Sequence, residues 1–252
     1  MQAATYTDSM SPVTTPAHPR PPRLLALDTA TERIAVAVVD GDRQWAADEA
    51  GGALASLHLL PLVFALLERA GLALADLDGI AFGRGPGAFT GLRTASSVAQ
   101  GLAFGAALPV LALDSLALVA EGACAQHGVR DVWVAMDARM DEAYAAAYRR
   151  DADGWQVVQA PALWSLAALN EAWQLAPPLC IAGSALDAFG PRLITGAALR
   201  IAATQDRAGA LARLARAAWR RGEAIDAALA LPLYLRDKVA LTTAERAAAK
   251  TV

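Results

Sequence analysis

Apolar positions fall into short runs near the start of the chain and longer periodic stretches after about residue 55. Residues 24–28 are an apolar run closed by Asp28, which predicts a buried strand. Residues 34–39 and 43–49, on either side of the Gly41-Asp42 turn, predict two more strands in an antiparallel meander. Residues 56–71 then predict a helix that stops at Gly71. Pro61 lies within it, so the helix is expected to start near Leu59 or to bend there. Leu59, Leu60, Leu62, Val63, Phe64, Leu66 and Leu67 cover nearly its whole circumference, where a surface helix needs only one stripe. A second buried face is therefore expected, against another lobe or another chain. Residues 80–82 predict a fourth strand and residues 92–108 a helix rich in Ala and Gly. Residues 109–113 predict a fifth strand, ending at Asp114.

From Val132 the same order begins again. Strands are expected at 132–137, 142–150 and 155–159, with a turn at Arg139-Met140-Asp141. A helix over 165–173 follows, with Ser165 as its cap. A strand at 179–182, a Gly183-Ser184 turn, a short helix over 185–189, a strand at 199–202 and a helix over 206–221 complete the unit. Asp28 and Asp137 occupy equivalent places, so the chain reads as a duplication and not as a short-period solenoid. The expected organisation is a disordered leader over 1–23, an N-terminal lobe over 24–115, a C-terminal lobe over 116–236 and a flexible tail over 237–252. Within the second lobe, residues 232–236 are expected to dock on the body.

At 252 residues the chain can bury one large core or two smaller ones, and 56% hydrophobic against 19% charged residues fits a globular protein. No apolar segment is expected to span a bilayer without a charge or a proline interrupting it. A net charge of −3 argues against a broad nucleic-acid surface. Arg207, Arg213, Arg216, Arg220 and Arg221 do gather on one predicted helix, which reads as a solvated face or as a local contact for RNA. Cys124 and Cys180 are expected as buried free thiols. His18, His58 and His127 are scattered without metal-ligand spacing, so no metal site is expected.

The candidate chemistry sits in one stretch, Gly83-Arg84-Gly85-Pro86-Gly87-Ala88-Phe89-Thr90-Gly91-Leu92-Arg93. A strand, a glycine-rich turn and a helix in that order can cradle an anion, because glycines let backbone N–H groups approach and the helix dipole favours negative charge. The same glycines can simply make a tight connection, and the residues alone leave both readings open. A dinucleotide fold resting on Gly83, Gly85 and Ala88 fails, because the stretch follows a fourth strand and Pro86 removes an N–H. Asp28, Thr29 and Thr31 could likewise meet phosphate or hydrated metal, or satisfy their own turn.

The duplicated lobes, each opening with a meander that ends in an acidic turn, resemble the actin, Hsp70 and sugar-kinase (ASKHA) superfamily. This is an α/β fold of two ribonuclease H-like lobes, each with a mixed five-stranded sheet and helices. The closer resemblance is to the TsaB family of bacterial tRNA threonylcarbamoyladenosine biosynthesis proteins. It is carried by Leu24-Leu25-Ala26-Leu27-Asp28-Thr29-Ala30-Thr31, by His58-Leu59-Leu60-Pro61-Leu62 and by the glycine stretch. Asp137-Ala138-Arg139-Met140-Asp141-Glu142-Ala143-Tyr144 and Pro232-Leu233-Tyr234-Leu235-Arg236 extend it. The glycine stretch alone also fits the catalytic paralogue TsaD, whose members place a His-x-x-x-His metal pair after the fifth strand. Here that region reads Asp114-Ser115-Leu116-Ala117-Leu118-Val119.

The resemblance therefore implies a cytoplasmic, non-catalytic scaffold or activator with no catalytic or metal-binding residues. It would work with TsaD, and with the ATPase TsaE, in transferring threonylcarbamoyl to the adenosine beside the anticodon (t6A) of tRNAs reading codons that begin with A. It implies no cofactor of the chain's own, with ATP or ADP held, if at all, by the complex, tRNA as the substrate of the complex, and no membrane. It further implies a partner interface at His58, Leu59, Leu62, Val63, Leu66, Ala95, Ala99 and Leu102, used for a homodimer when the chain is alone. Asp28, Thr29, Arg84, Gly85, Gly87, Arg93 and Asp137 are the candidates for nucleotide or anion contact. The competing reading is an ATPase or small-molecule kinase of the same superfamily, supported by the pair Asp28 and Asp137.

Overall fold

The structure, a computed structural model, describes residues 20–236, so most of the expected leader and all of the expected tail lie outside the described residues. The last residues of the expected leader are built into the fold. Arg23 opens the first strand, and the Arg20 guanidinium meets the Asp78 carboxylate at 2.9 Å.

The first half forms strands β1 (Arg23–Asp28), β2 (Arg33–Asp40) and β3 (Arg43–Ala50), helix α1 (Ala55–Ala70), strand β4 (Gly79–Gly85), helix α2 (Phe89–Ala106) and strand β5 (Val110–Asp114). Helix α3 (Ser115–His127) follows. The second half contains β6 (Asp131–Asp137), β7 (Glu142–Arg150), β8 (Trp155–Ser165), α4 (Leu166–Leu175), β9 (Cys180–Ala182), α5 (Ala185–Phe189), β10 (Leu199–Ile201) and α6 (Arg207–Arg220).

The two sheets repeat one topology, β3-β2-β1-β4-β5 in the first and β8-β7-β6-β9-β10 in the second. In each the opening meander is antiparallel, and the later strands add in parallel to its first strand. The fold is thus α/β with two mixed five-stranded sheets. Strand β1 is apolar throughout because both of its faces are covered. Leu25 and Leu27 pack with α1 and α2, whereas Leu24 and Ala26 pack with α6. On the second sheet, α3 covers one face and α4 with α5 the other. Helices α3 and α6 pack on each other between the two sheets. Helix α6 is therefore late in sequence but builds the core of the first sheet.

Three elements depart from expectation. Helix α3 has no counterpart in the predicted elements. Its buried residues surround it, since it is packed from both sheets, and no apolar stripe marks it. Its ends carry ordinary signals: the Asp114 carboxylate accepts from Leu116 N, and Gly128 closes the helix in the left-handed region. Helix α1 starts at Ala55 and continues without a break through Pro61. The ring lies on the exposed side, where water can serve the Leu57 carbonyl that Pro61 leaves without an N–H partner. Strand β8 extends to Ser165 past Pro161, as an edge strand with a register shift tolerates. Gly52–Ala70 is long and apolar enough to cross a membrane by length and composition alone, although Pro61, Glu68 and Arg69 interrupt it as expected. One face of it nevertheless belongs to the first core, through Leu59, Val63 and Leu66.

Candidate functional site

A cleft of about 1070 Å³ lies between the lobes. Of the two acidic strand ends, Asp137 lines this cleft and Asp28 does not. Asp28 is wholly buried. Its Oδ1 accepts from Arg207 Nη2 at 2.8 Å and Nε at 3.0 Å and from Ala30 N at 3.2 Å, and its Oδ2 accepts from the Ser115 hydroxyl at 2.8 Å. The guanidinium supplies the positive charge and the hydrogen bonds that a buried carboxylate requires. Thr29 is also spent, its Oγ1 donating to the Gly91 carbonyl at 2.7 Å. Neither side chain is free to meet a ligand, which corrects their place among the candidate contacts.

The glycine stretch explains why this arrangement fits. A Cβ on Gly83 would stand 1.7 Å from Asp28 Oδ2, so only glycine leaves room for the carboxylate. A Cβ on Gly87 or Gly91 would fall 2.4 Å from the Ala30 carbonyl oxygen or 1.9 Å from that of Thr29. These glycines let the β1–β2 turn seat directly on the loop. The N–H groups of Gly85 and Ala88 donate to Ser115 Oγ at 3.1 Å and to the Ala30 carbonyl at 2.8 Å. The N–H groups of Gly85 and Ala88 are thus taken up within the chain, which removes Gly85 from the anion candidates, while Gly87 lines the cleft. Arg84 is half-buried, and its carbonyl accepts from Leu233 N at 2.7 Å. Arg93 is exposed, with its guanidinium 5.4 Å from the centre of the Phe89 ring.

Asp137, in contrast, lines the cleft and keeps partial exposure. Its Oδ1 accepts from Arg139 N at 2.8 Å, and Oδ2 lies 3.2 Å from Arg139 Nη1. Arg139, Met140 and Asp141 all have positive φ, at 64°, 57° and 58°. Such a turn is strained for residues that carry a Cβ. Arg236 braces it, donating to the carbonyls of Ala138 and Arg139 and pairing with Glu142 at 2.7 Å. The segment 233–236 is therefore tied to the glycine stretch at one end and to the second lobe at the other. A further bond between the lobes joins the Tyr148 hydroxyl to Asp114 Oδ2 at 2.6 Å. Burial pushes the Asp114 carboxyl up, opposed by the hydrogen bonds from Tyr148 and the Leu116 N–H. Among the described residues no three His, Cys, Asp or Glu side chains gather as a metal centre.

The second candidate is the outer surface of α1 and α2. Leu59, Val63, Leu66, Ala95 and Ala99 are fully buried in the lobe's own core, so they cannot touch a partner in this fold, which corrects their assignment to an interface. Leu62 and Leu102 are half-buried against the same core, and His58 is exposed. The outward stripe of α1 is instead Leu57, Leu60, Pro61 and Phe64, at i, i+3, i+4 and i+7. Leu57 is 66% exposed and Phe64 51%, while on α2 Phe104 is 60% exposed. A Cβ on Gly101 or Gly105 would meet nothing within 4 Å. The all-round apolar composition of α1 announced this second face, but it could not tell inward from outward.

No local pattern in the chain marks Ser115 or Arg207 as partners of Asp28. Arg207 lies 179 positions away and reads as one arginine of a basic helix. In the structure most of those arginines are engaged. Arg213 meets Glu121 at 2.7 Å, Arg216 donates to the carbonyls of Gly41 and Arg43, and Arg221 pairs with Glu223.

Residues 54–185 match the family model of TsaD, tRNA N6-adenosine threonylcarbamoyltransferase. The chain is 42% identical over 132 residues to the tRNA threonylcarbamoyladenosine biosynthesis protein TsaB of Escherichia coli K12, covering 52% of this chain and 57% of that protein. It is 43% identical over 121 residues to TsaB of Haemophilus influenzae, covering 48% of this chain and 51% of that protein. The chain thus spans about half the length of these curated relatives. A solved structure from Pseudomonas aeruginosa, of an uncharacterized protein described as similar to the peptidase YeaZ, superposes with a TM-score of 0.79 at 40% identity. That superposition covers 85% of this chain and all of the other.

Proposed function

The chain belongs to the TsaD family, among its TsaB proteins, and from that premise we propose that it is a non-catalytic scaffold and activator subunit. Its partner is TsaD, and the joint reaction is transfer of threonylcarbamoyl to the adenosine beside the anticodon of tRNA. The observation that carries this reading is the outward apolar stripe of Leu57, Leu60 and Phe64 on α1, with Phe104 on α2. Large exposed apolar side chains at helical spacing on two packed helices suit a helix-on-helix interface, and they favour self-association when the partner is missing. The saturation of Asp28 and Thr29 supports the same reading. A phosphoryl-transfer site needs those groups free to meet metal and phosphate, and here Arg207 and the Gly91 carbonyl hold them. On this reading the complex, and not this chain, holds the nucleotide, with TsaE as a further partner in the cytoplasm.

The test compares wild type with a Leu60→Glu/Phe64→Glu variant. Both positions are outside the core, so the fold should survive, and circular dichroism checks this. Co-elution with TsaD on size exclusion should be lost, with affinity reduced at least about a hundredfold if both side chains are buried anchors. Modification of tRNA by TsaD supplied with threonylcarbamoyl-AMP should fall with it. A folded variant that still pairs and still activates would overturn the proposal. The second reading, an ATPase or small-molecule kinase, draws on the open cleft and on Asp137. Robust phosphoryl transfer by the isolated chain would favour it.

A further inference from the structure

Away from the cleft and from the apolar stripe, a hollow of about 440 Å³ is lined by Glu121, Cys124, Ala125, Gly128, Arg130, Arg150 and Arg213. We propose that this hollow is an oxyanion site that takes a phosphate group, with Arg130, Arg150 and Arg213 as its cationic wall. Two of the arginines are fixed in advance. Glu121, 3% exposed, accepts from Arg213 Nε at 2.7 Å on Oε1, and from Arg150 Nη1 and Trp155 Nε1 on Oε2. Arg150 also lies over the Trp155 ring at 5.4 Å. A ligand arriving here need not order these side chains, which removes much of the usual entropic cost of binding.

Charge decides the sign of the ligand. Three guanidiniums line the hollow against the one carboxylate of Glu121. Asp206 approaches Arg213 Nη1 only at 3.4 Å, from the cleft side. The C-terminal end of α3 adds a negative partial charge of about half a unit, too little to cancel the excess. Among the described residues no acceptor holds the Arg130 guanidinium, and Arg213 Nη2 is buried without one. Arg213 Nη2 has no accessible surface, so the donors an oxyanion meets first are those of the exposed Arg130 guanidinium, to which it offers several acceptors with the right charge. Balancing the C-terminus of α3 accounts for one cation; three exceed that need. The phosphate could come from an RNA backbone or from a free phosphate or nucleotide, and both share this chemistry. Choosing RNA rests on the role proposed above, whereas the site itself does not.

Cys124 lines the hollow, and Arg150 Nη1 lies 3.8 Å from its sulfur, so its alkylation reports occupancy. Cys180 is buried, and burial pushes its thiol up to about 11, so it stays silent. The experiment follows iodoacetamide labelling of Cys124 in the full chain, with added pyrophosphate, a short single-stranded RNA, or chloride at equal ionic strength. Saturable protection by pyrophosphate or RNA, absent with chloride, is the expected result. RNA protecting at lower phosphate concentration assigns the backbone as the source, and protection by pyrophosphate alone assigns a free phosphate. Arg130→Ala removes an exposed, unpaired side chain and should weaken protection about tenfold without affecting folding. No protection by either anion, or protection unchanged in the variant, overturns the proposal. Because the assay needs no TsaD, its failure would leave the pairing test above untouched.

Discussion

Asp28 and Asp137 end equivalent strands in two sheets of identical order, yet they have opposite fates. Asp28 is sealed beneath Arg207 and Ser115, while Asp137 sits at the wall of the cleft beside a strained turn. The difference comes from what each sheet receives from the rest of the chain. Helix α6 returns from the end of the sequence to cover the first sheet, and its first residue reaches the Asp28 carboxylate. At the end of β6 the start of α5 supplies only Ser184, whose Oγ accepts from Asp137 N at 3.1 Å, and among the described residues no helix places an arginine on the Asp137 carboxylate. One duplicated position has thus become part of the core, and the other has kept the accessibility that chemistry would require.

The largest effect expected from breaking this asymmetry comes from Arg207→Ala. It leaves the Asp28 carboxylate without its counter-ion at zero exposure, a loss of about 3–5 kcal/mol that urea unfolding would measure. The double change Asp28→Asn/Arg207→Met should recover much of that loss, because it removes both charges together. If the single variant were as stable as wild type, the ion pair would not be what holds α6 on the first sheet. Gly83→Ala should come next. Its methyl group would occupy the place of Asp28 Oδ2, 1.7 Å away, and overpacking of this kind costs about 1–3 kcal/mol.

The sequence carried much of this frame and little of the lock. The repeated meander was legible because strand alternation and the Gly41 and Arg139-Met140-Asp141 turns are local signals, and so was the Ser165 cap, whose Oγ accepts from Ala168 N. Helix α3 was not legible because it is packed on all sides, which erases the stripe that periodicity depends on. The inward face of α1 was hidden for a different reason, since Leu59 and Leu60 are equally apolar but only one of them is exposed. The pairing of Asp28 with Arg207 depends on tertiary closure over most of the chain, which no local rule encodes.

Between the lobes, Asp114 offers a pH-dependent test of smaller size. Burial raises its carboxyl above the ordinary aspartate value in the folded chain, so the folded state binds a proton where the unfolded state does not. Stability from this group therefore increases as pH falls from above the folded value towards the ordinary one, and it decreases as pH rises. Relative to Asp114→Asn, wild type should gain stability on acidification across that window. Urea midpoints of the two proteins at a series of pH values would show it. A parallel pair of profiles would mean that the hydrogen bonds from Tyr148 and the Leu116 N–H fully offset the burial.

The smallest effect should come from Asp137→Asn, and it completes the comparison. Asp137 keeps access to the cleft, and its ion pair with Arg139 involves a guanidinium 77% exposed. Pairs so open to water contribute less than about 1 kcal/mol, so the substitution should barely move the urea midpoint. The Arg139 N–H can still donate to the amide oxygen that replaces Oδ1, which keeps the turn closed. A loss as large as that of Arg207→Ala would mean that the second acidic strand end is as structural as the first. A stable variant that fails to support tRNA modification with TsaD would instead mark Asp137 as the half of the duplication that still serves function, leaving Asp28 to hold the lobes in place.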